Sequence, residues 1–234
     1  MIYVVGDIHG KFNPLVALMG NIKAHARTFD EEHKIVFVGD YIDRGGEENL
    51  VIDYLNENPA YGFEHIFLKG NHEEMAINSI NGDWNALNMW KENGGNTTMR
   101  QYGLRAWDFP NKKSRIPVLE EFIAKTRLHY RVGKFYIVHA GINPTRRLED
   151  QLEQDQLWIR QGFLNWTAPF DENVIVIHGH TPIANDPFMV KEWEPIQLIN
   201  RINIDTGAVW TGILTAAIID NKGTQFEGFI NTAY

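Results

Sequence analysis

Cysteine is absent from all 234 residues. That excludes disulfide bonds and thiolate-bound zinc, so any metal must be held by histidine, carboxylate or amide side chains. Long hydrophobic runs are missing too. No apolar stretch approaches the roughly 20 residues of a membrane span, and the charged Asp7 stands where a signal peptide would need its apolar core. A cytoplasmic protein with no membrane partner is expected. Positive charge is scarce: 22 Lys and Arg against 30 Asp and Glu give a formal charge of -8, which speaks against a general nucleic-acid coat. The short basic groups Lys112-Lys113 with Arg115 and Arg146-Arg147 read as solvated loop faces. No linker, low-complexity tract or internal repeat divides the chain. With 44% hydrophobic and 12% aromatic residues it can bury a sizeable core, and its length suits a single domain over residues 1–234, expected as a monomer.

What is present is a repeated pattern of apolar strands that end in glycine and then in metal-competent side chains. Ile35-Val36-Phe37-Val38 runs into Gly39-Asp40-Tyr41-Ile42-Asp43-Arg44-Gly45. Ile2-Tyr3-Val4-Val5 runs into Gly6-Asp7-Ile8-His9-Gly10, and His65-Ile66-Phe67-Leu68 into Lys69-Gly70-Asn71-His72-Glu73. Later, Phe135-Tyr136-Ile137-Val138 ends on His139, and Val174-Ile175-Val176-Ile177 ends on His178-Gly179-His180. In open α/β sheets, ligands bind outside the carboxyl ends of strands, so these loops converge on one site.

Between the strands, helical spacing follows. Asn13-Pro14 suggests a helix start, with Leu15, Leu18, Met19 and Ile22 as its buried stripe. Glu47-Glu48 open a second helix, with Leu50, Val51, Tyr54 and Leu55 facing inward. A third helix begins near Asn71-His72, residues 83–102 are helical with an interruption at Asn93-Gly94-Gly95, and Ile116–Lys125 is helical again. The tail, Ile202–Gly207 and Ile213–Ile219, suggests antiparallel strands joined by turns. The pattern predicts an α/β fold, two mixed sheets packed together with helices outside.

The chemistry follows from the residue types. Asp7 and His9, two apart on an extended segment, point to one side and can share an ion; Asp40 can bridge it to a second ion, which Asn71, His139 and His180 complete. Spacing alone leaves His178 in competition with His180, although its position before the loop suits a packed residue. Mixed oxygen and nitrogen donors suit two divalent ions, manganese first, with iron or zinc as alternatives, and argue against calcium. Four positive charges against two carboxylates leave a surplus that attracts a phosphate ester, and a water between the ions becomes acidic enough to attack phosphorus. His72 can protonate the leaving group with Asp43 holding its imidazole, and Arg44 with Arg160 can clamp the phosphoryl oxygens beside Asn71.

The blocks Gly6-Asp7-Ile8-His9-Gly10, Gly39–Gly45 and Gly70-Asn71-His72-Glu73, with His139-Ala140-Gly141 and Gly179-His180-Thr181-Pro182, resemble in order the signatures of the phosphoprotein phosphatase family of calcineurin-like metallophosphoesterases. The length and the Asn93-Gly94-Gly95 block look most like its small bacterial and phage serine/threonine phosphatases. The resemblance implies a four-layer β-sandwich and a dinuclear, usually manganese, centre. It assigns Asp7, His9 and Asp40 to one ion and Asp40, Asn71, His139 and His180 to the other, deciding for His180 over His178. It makes His72 and Asp43 the acid pair and Arg44 and Arg160 the clamp. Lys69 departs from the arginine of many members, and Ala140 from the eukaryotic glycine. The expected activity is hydrolysis of phosphoserine and phosphothreonine in proteins, extending to phosphotyrosine or small phosphoesters. The alternative is a symmetrical bis(5'-nucleosyl)-tetraphosphatase, a branch that tends to lack the aspartate matched by Asp43. A pseudophosphatase is disfavoured because no ligand or acid is lost.

Overall fold

The computed structural model describes residues 1–57, 62–111 and 115–233; Lys112 and Lys113 of the first basic group lie outside the described residues. The chain opens with β1 (Ile2–Val5), α1 (Phe12–Ala26), β2 (His33–Phe37), α2 (Glu48–Asn56) and β3 (Phe63–Phe67), the three strands parallel. Four helices follow: α3 (Asn71–Ile80), α4 (Trp84–Glu92), α5 (Gly95–Gln101) and α6 (Pro117–Ala124). The second half comprises β4 (His129–Val132), β5 (Phe135–Val138), α7 (Glu153–Trp158), α8 (Gln161–Leu164), β6 (Ile175–His178), β7 (Ile196–Gln197), β8 (Arg201–Asn203), α9 (Ala208–Thr211), β9 (Thr215–Ile219) and β10 (Phe226–Asn231). One sheet has the order β10-β9-β1-β2-β3 and the other β4-β5-β6-β8-β7.

Strand alternation explains why the apolar runs are unbroken. Tyr3 and Val5 of β1 and Ile35 and Phe37 of β2 face the helices, while Ile2, Val4 and Val36 face the second sheet. There they meet Phe135, Ile137, Ile177 and Ile202, the core of the sandwich. On its outer face the second sheet packs Tyr136, Val138 and Val176 against Phe163 and Leu164 of α8 and against Phe170. The result is the expected architecture, two mixed five-stranded sheets flanked by helices.

Three local readings need correction. The first helix starts at Phe12, and Pro14 sits within its first turn, where the missing N–H would have had no intrahelical partner anyway. In α2, Leu50 is 42% exposed, and the buried stripe is Glu48, Val51, Ile52 and Leu55. That is regular i, i+3, i+4, i+7 spacing, set one step off by a buried glutamate that a hydrophobic count omits. The tail strands are not neighbours. β8 lies parallel to β6 and antiparallel to β7 in one sheet, while β9 lies antiparallel to β1 and β10 in the other. The turn at residues 204–207 and α9 carry the chain across.

Candidate metal centre

The loops at the carboxyl ends of β1, β2, β3, β5 and β6 meet at one edge, and their backbones are unusual. His9, Asp40, Asp43, Arg44 and His180 all have positive φ, between 46° and 73°. Such conformations are costly for residues with a Cβ and persist where packing fixes them, typically at functional sites. His9 therefore reaches the site from a turn and not from an extended segment; the N–H groups of Ile8 and His9 both donate to the Asp40 carbonyl at 3.1 and 2.8 Å. The approach is tight: a Cβ on Gly45 would fall 2.0 Å from the His9 carbonyl oxygen, so only glycine fits.

Asp40 is the centre of the arrangement. Its Oδ2 lies 3.4 Å from His9 Nε2 and 3.8 Å from His72 Nε2, and its Oδ1 lies 3.4 Å from His139 Nε2. One carboxylate thus faces two groups of donors, His9 with His72 and His139 with His180. Asn71 Oδ1 stands 2.9 Å from His139 Nε2 and 3.1 Å from His180 Nδ1. Asp7 falls outside both trios; its Oδ2 accepts from the His180 N–H at 2.9 Å, and its Oδ1 has no partner.

Tautomers show what the cluster needs. Nδ1 of His9 donates to the Ile42 carbonyl at 2.9 Å, and Nδ1 of His139 to the Val38 carbonyl at 3.1 Å. Both Nε2 atoms are left with a lone pair; that of His9 lies beside Asp40 Oδ2 and accepts from Arg44 Nη1, while that of His139 faces Asp40 Oδ1 and the Asn71 amide oxygen. Metal-ligating histidines are typically fixed in this way by a backbone carbonyl. Burial lowers the pKa of His9, His139 and His180, keeping them neutral. His180 Nε2 is buried without a partner. The carboxylates are under the opposite stress. Burial, with repulsion from Asp205 and Asp40, raises Asp7 well above the usual range; burial and Asp40 push Asp205 to about 7 and Glu73 to about 8. A His139 lone pair facing two oxygens, orphaned buried atoms and crowded acids fit divalent cations.

Beside this lies a second, fully bonded group. His72 Nδ1 donates to Asp43 Oδ2 at 2.5 Å. Asp43, wholly buried, also accepts from Trp90 Nε1 at 2.8 and 3.0 Å and from the Thr98 hydroxyl, while its own N–H donates to Thr98 Oγ1 at 3.0 Å. Burial alone would lower the His72 pKa, but Asp40 and the Asp43 hydrogen bond outweigh it and hold it above the usual value. Arg44 Nη1 and Nη2 donate to His9 Nε2 at 2.9 Å and His72 Nε2 at 3.0 Å. Arg160 donates to Thr181 Oγ1 at 3.2 Å, and it shares with Arg44, Asp40, Asn71, His72 and His180 a cavity of about 620 Å³. Lys69 is engaged by Glu153 at 3.0 Å.

A profile of the calcineurin-like phosphoesterases matches residues 1–206, which takes in every residue of this cluster. The chain belongs to that family. Calcineurin-like phosphoesterases use a dinuclear metal centre, and the two donor groups around Asp40 are where this member offers one. The asymmetrical bis(5'-nucleosyl)-tetraphosphatase PrpE of Anoxybacillus flavithermus is 26% identical, over 92% of this chain and 89% of its own. A solved structure described as a proposed diadenosine tetraphosphatase superposes with a TM-score of 0.64 at 18% identity, covering 98% and 91% of the two chains. A serine/threonine phosphatase of Saccharomyces cerevisiae similar to human PP5 gives 0.53 at 15%, covering 98% and 78%. These two superpositions speak for the fold alone.

Sequence reasoning gave no role to several residues that shape this phosphoesterase site. Glu73 accepts the N–H groups of Asp40, Tyr41 and Gly70, each at 2.9 Å, and so holds the Asp40 loop against the start of α3. The signal was there, a glutamate at the third position of a helix reaching back to its cap. Trp90 and Thr98 reach Asp43 from 47 and 55 residues away, and no local pattern announces them.

Proposed function

We propose that the chain hydrolyses nucleoside polyphosphates, cutting dinucleoside tetraphosphates unsymmetrically into a mono- and a triphosphate. The observation that carries this reading is the cavity. Its floor is the Asp40 cluster, its walls hold Arg44, Arg160 and the indoles of Trp158 and Trp210, and about 620 Å³ is far more room than one phosphoryl group occupies. The names of relatives aligned over nearly the whole chain support it.

Asp7, His9, Asp40, Asn71, His139 and His180 would hold two divalent ions, with manganese the first to test. Such ions, when bound, supply Lewis-acid charge and an acidified water. The chain's own residues do the rest. Arg44 and Arg160 face the phosphoryl oxygens as planar cations, and Asn71 adds an amide contact. His72, oriented by Asp43, presents Nε2 to the cavity; that atom accepts from Arg44 Nη2 here, and once Arg44 turns to the phosphoryl oxygens it can carry a proton for a departing oxygen that needs one. No covalent intermediate is required.

One observation favours a second reading, hydrolysis of phosphoserine and phosphothreonine in proteins. An alkoxide departs only with a proton, whereas a nucleotide phosphate can leave without one, and the Asp43 contact that fixes the His72 ring is the kind a general acid needs. The intact Asp43 also argues against the symmetrical tetraphosphatase branch while leaving the asymmetrical one open. Initial rates with manganese, after chelator treatment, on diadenosine tetraphosphate and on a phosphoserine peptide decide between them. Faster release of adenylate and ATP from the dinucleotide is expected; preference for the peptide would overturn the nucleotide reading in favour of the second.

A further inference from the structure

Phosphoryl transfer makes no use of the aromatic ledge beside the cavity floor. Trp210, in α9, lines the same cavity as Arg44, Arg160 and His180, yet it is 59% exposed. It is also held in place. The ring of Trp193 lies against it, centroids 6.1 Å apart and planes tilted by 34°. Gly207 sits under both rings, where a Cβ would fall 2.3 Å from Trp193 Cζ3 and 3.1 Å from Trp210 Cε3. The Gly207 N–H donates to Asp205 Oδ1 at 3.1 Å, and the Thr211 hydroxyl binds the Thr206 and Gly207 carbonyls at 3.0 Å. The ledge is therefore tied by one short turn to Asp205, a carboxylate buried against the Asp40 cluster. Trp84 and Trp107 are as exposed, but neither lines this cavity.

We propose that Trp210, backed by Trp193, is the surface on which the base of a nucleotide substrate stacks while its phosphates lie at the Arg44 and Arg160 end. This rests on the nucleotide reading above. An exposed indole face, backed by a second indole and beside two cations, matches the layout of a nucleotide, an aromatic base joined to an anionic chain. Asn93 and Asn185 on the same walls offer donors and acceptors to a base edge.

The test is equilibrium binding by calorimetry to the manganese-loaded protein, comparing α,β-methylene ADP with methylenebisphosphonate. The P–C–P bridge of both resists cleavage between the phosphorus atoms, and the two differ in the nucleoside. The wild-type chain should favour the nucleotide. Trp210→Ala should reduce that preference about 5- to 150-fold, the range for losing one base–aromatic stack. Trp210→Phe should restore most of it, and Trp84→Ala should leave it unchanged. A wild-type chain with no preference would overturn the nucleotide reading and the ledge together. A wild-type preference that survives Trp210→Ala would overturn the ledge alone.

Discussion

Two buried polar clusters adjoin in this molecule, one around Asp40 and one around Arg201, and they differ in how far they satisfy themselves. Arg201 and Asp186 form a two-pronged ion pair at 2.7 and 2.8 Å, both side chains fully buried. Asn203 donates to Asp186 and to the Thr181 carbonyl at 3.0 Å, and His178 closes the group with Nδ1 on the Gly179 carbonyl at 3.0 Å and Nε2 on Arg201 at 3.4 Å. Only Nε of Arg201 lacks a partner among these side chains. Charges cancel, and every other donor of the group meets an acceptor. Around Asp40, three neutral imidazoles and four crowded carboxylates leave Asp7 Oδ1 and His180 Nε2 unpartnered. The Arg201 cluster balances its own charge and leaves one N–H over, which no cation could use; the Asp40 cluster leaves acceptors and is complementary to a cation. Burial and charge alone do not mark a functional site. Unsatisfied convergence does.

If that contrast is right, the same kind of edit has different consequences on the two sides. The largest effect is expected from Arg201→Ala, which strands a buried Asp186 and should cost about 3–5 kcal/mol of stability in urea melts. A loss below about 1 kcal/mol would break the comparison. In the Asp40 cluster, His72→Asn should spare the fold and the manganese content but slow esters with basic leaving groups by about 10²-fold, the scale of a general acid. Aryl phosphates, which need no proton on departure, should lose less; an equal loss on both, with metal lost as well, would make His72 a ligand and not the acid.

Asp7→Asn reverses the sign. It removes one of the crowded charges and can keep the His180 N–H contact, so the chelator-treated protein should gain about 1 kcal/mol while losing metal affinity. Destabilisation of the metal-free form would contradict the picture of a strained cluster. The smallest effect is a pH slope. Burial and Arg201 lower His178 to about 3, so the unfolded chain takes up its proton near 6.5 while the folded one refuses it until about 3. Stability from this group is therefore complete above 6.5 and falls with pH through that window, by roughly 1 kcal/mol between pH 6.5 and 5.5. The slope should shrink in His178→Gln.

The sequence made the Asp40 cluster more legible than the Arg201 cluster. Its residues stand directly after apolar strands, and β-α-β connectivity forces such loops together, so Asp7, His9, Asp40, Asn71, His139 and His180 can be gathered without coordinates. Spacing could not tell His178 from His180, whereas the family resemblance chose His180; the fold turns the first to Arg201 and the second to Asn71. Asp186 and Arg201 lie 15 residues apart, the first in a loop and the second opening β8, and nothing local pairs them. The same holds for Trp90 and Thr98 on Asp43, and for Trp210, whose exposure depends on a turn crossing between sheets. Contacts fixed by strand order were readable, whereas contacts fixed by loop packing were not.

The most direct test of the contrast is a manganese titration of chelator-treated protein, counting bound ions and following the melting temperature, with Asp40→Asn alongside. The account predicts two ions per wild-type chain with a rise in melting temperature, and loss of both in Asp40→Asn, because that one carboxylate faces both donor groups. Failure of the wild-type chain to take up metal, or retention of two ions by Asp40→Asn, would contradict it.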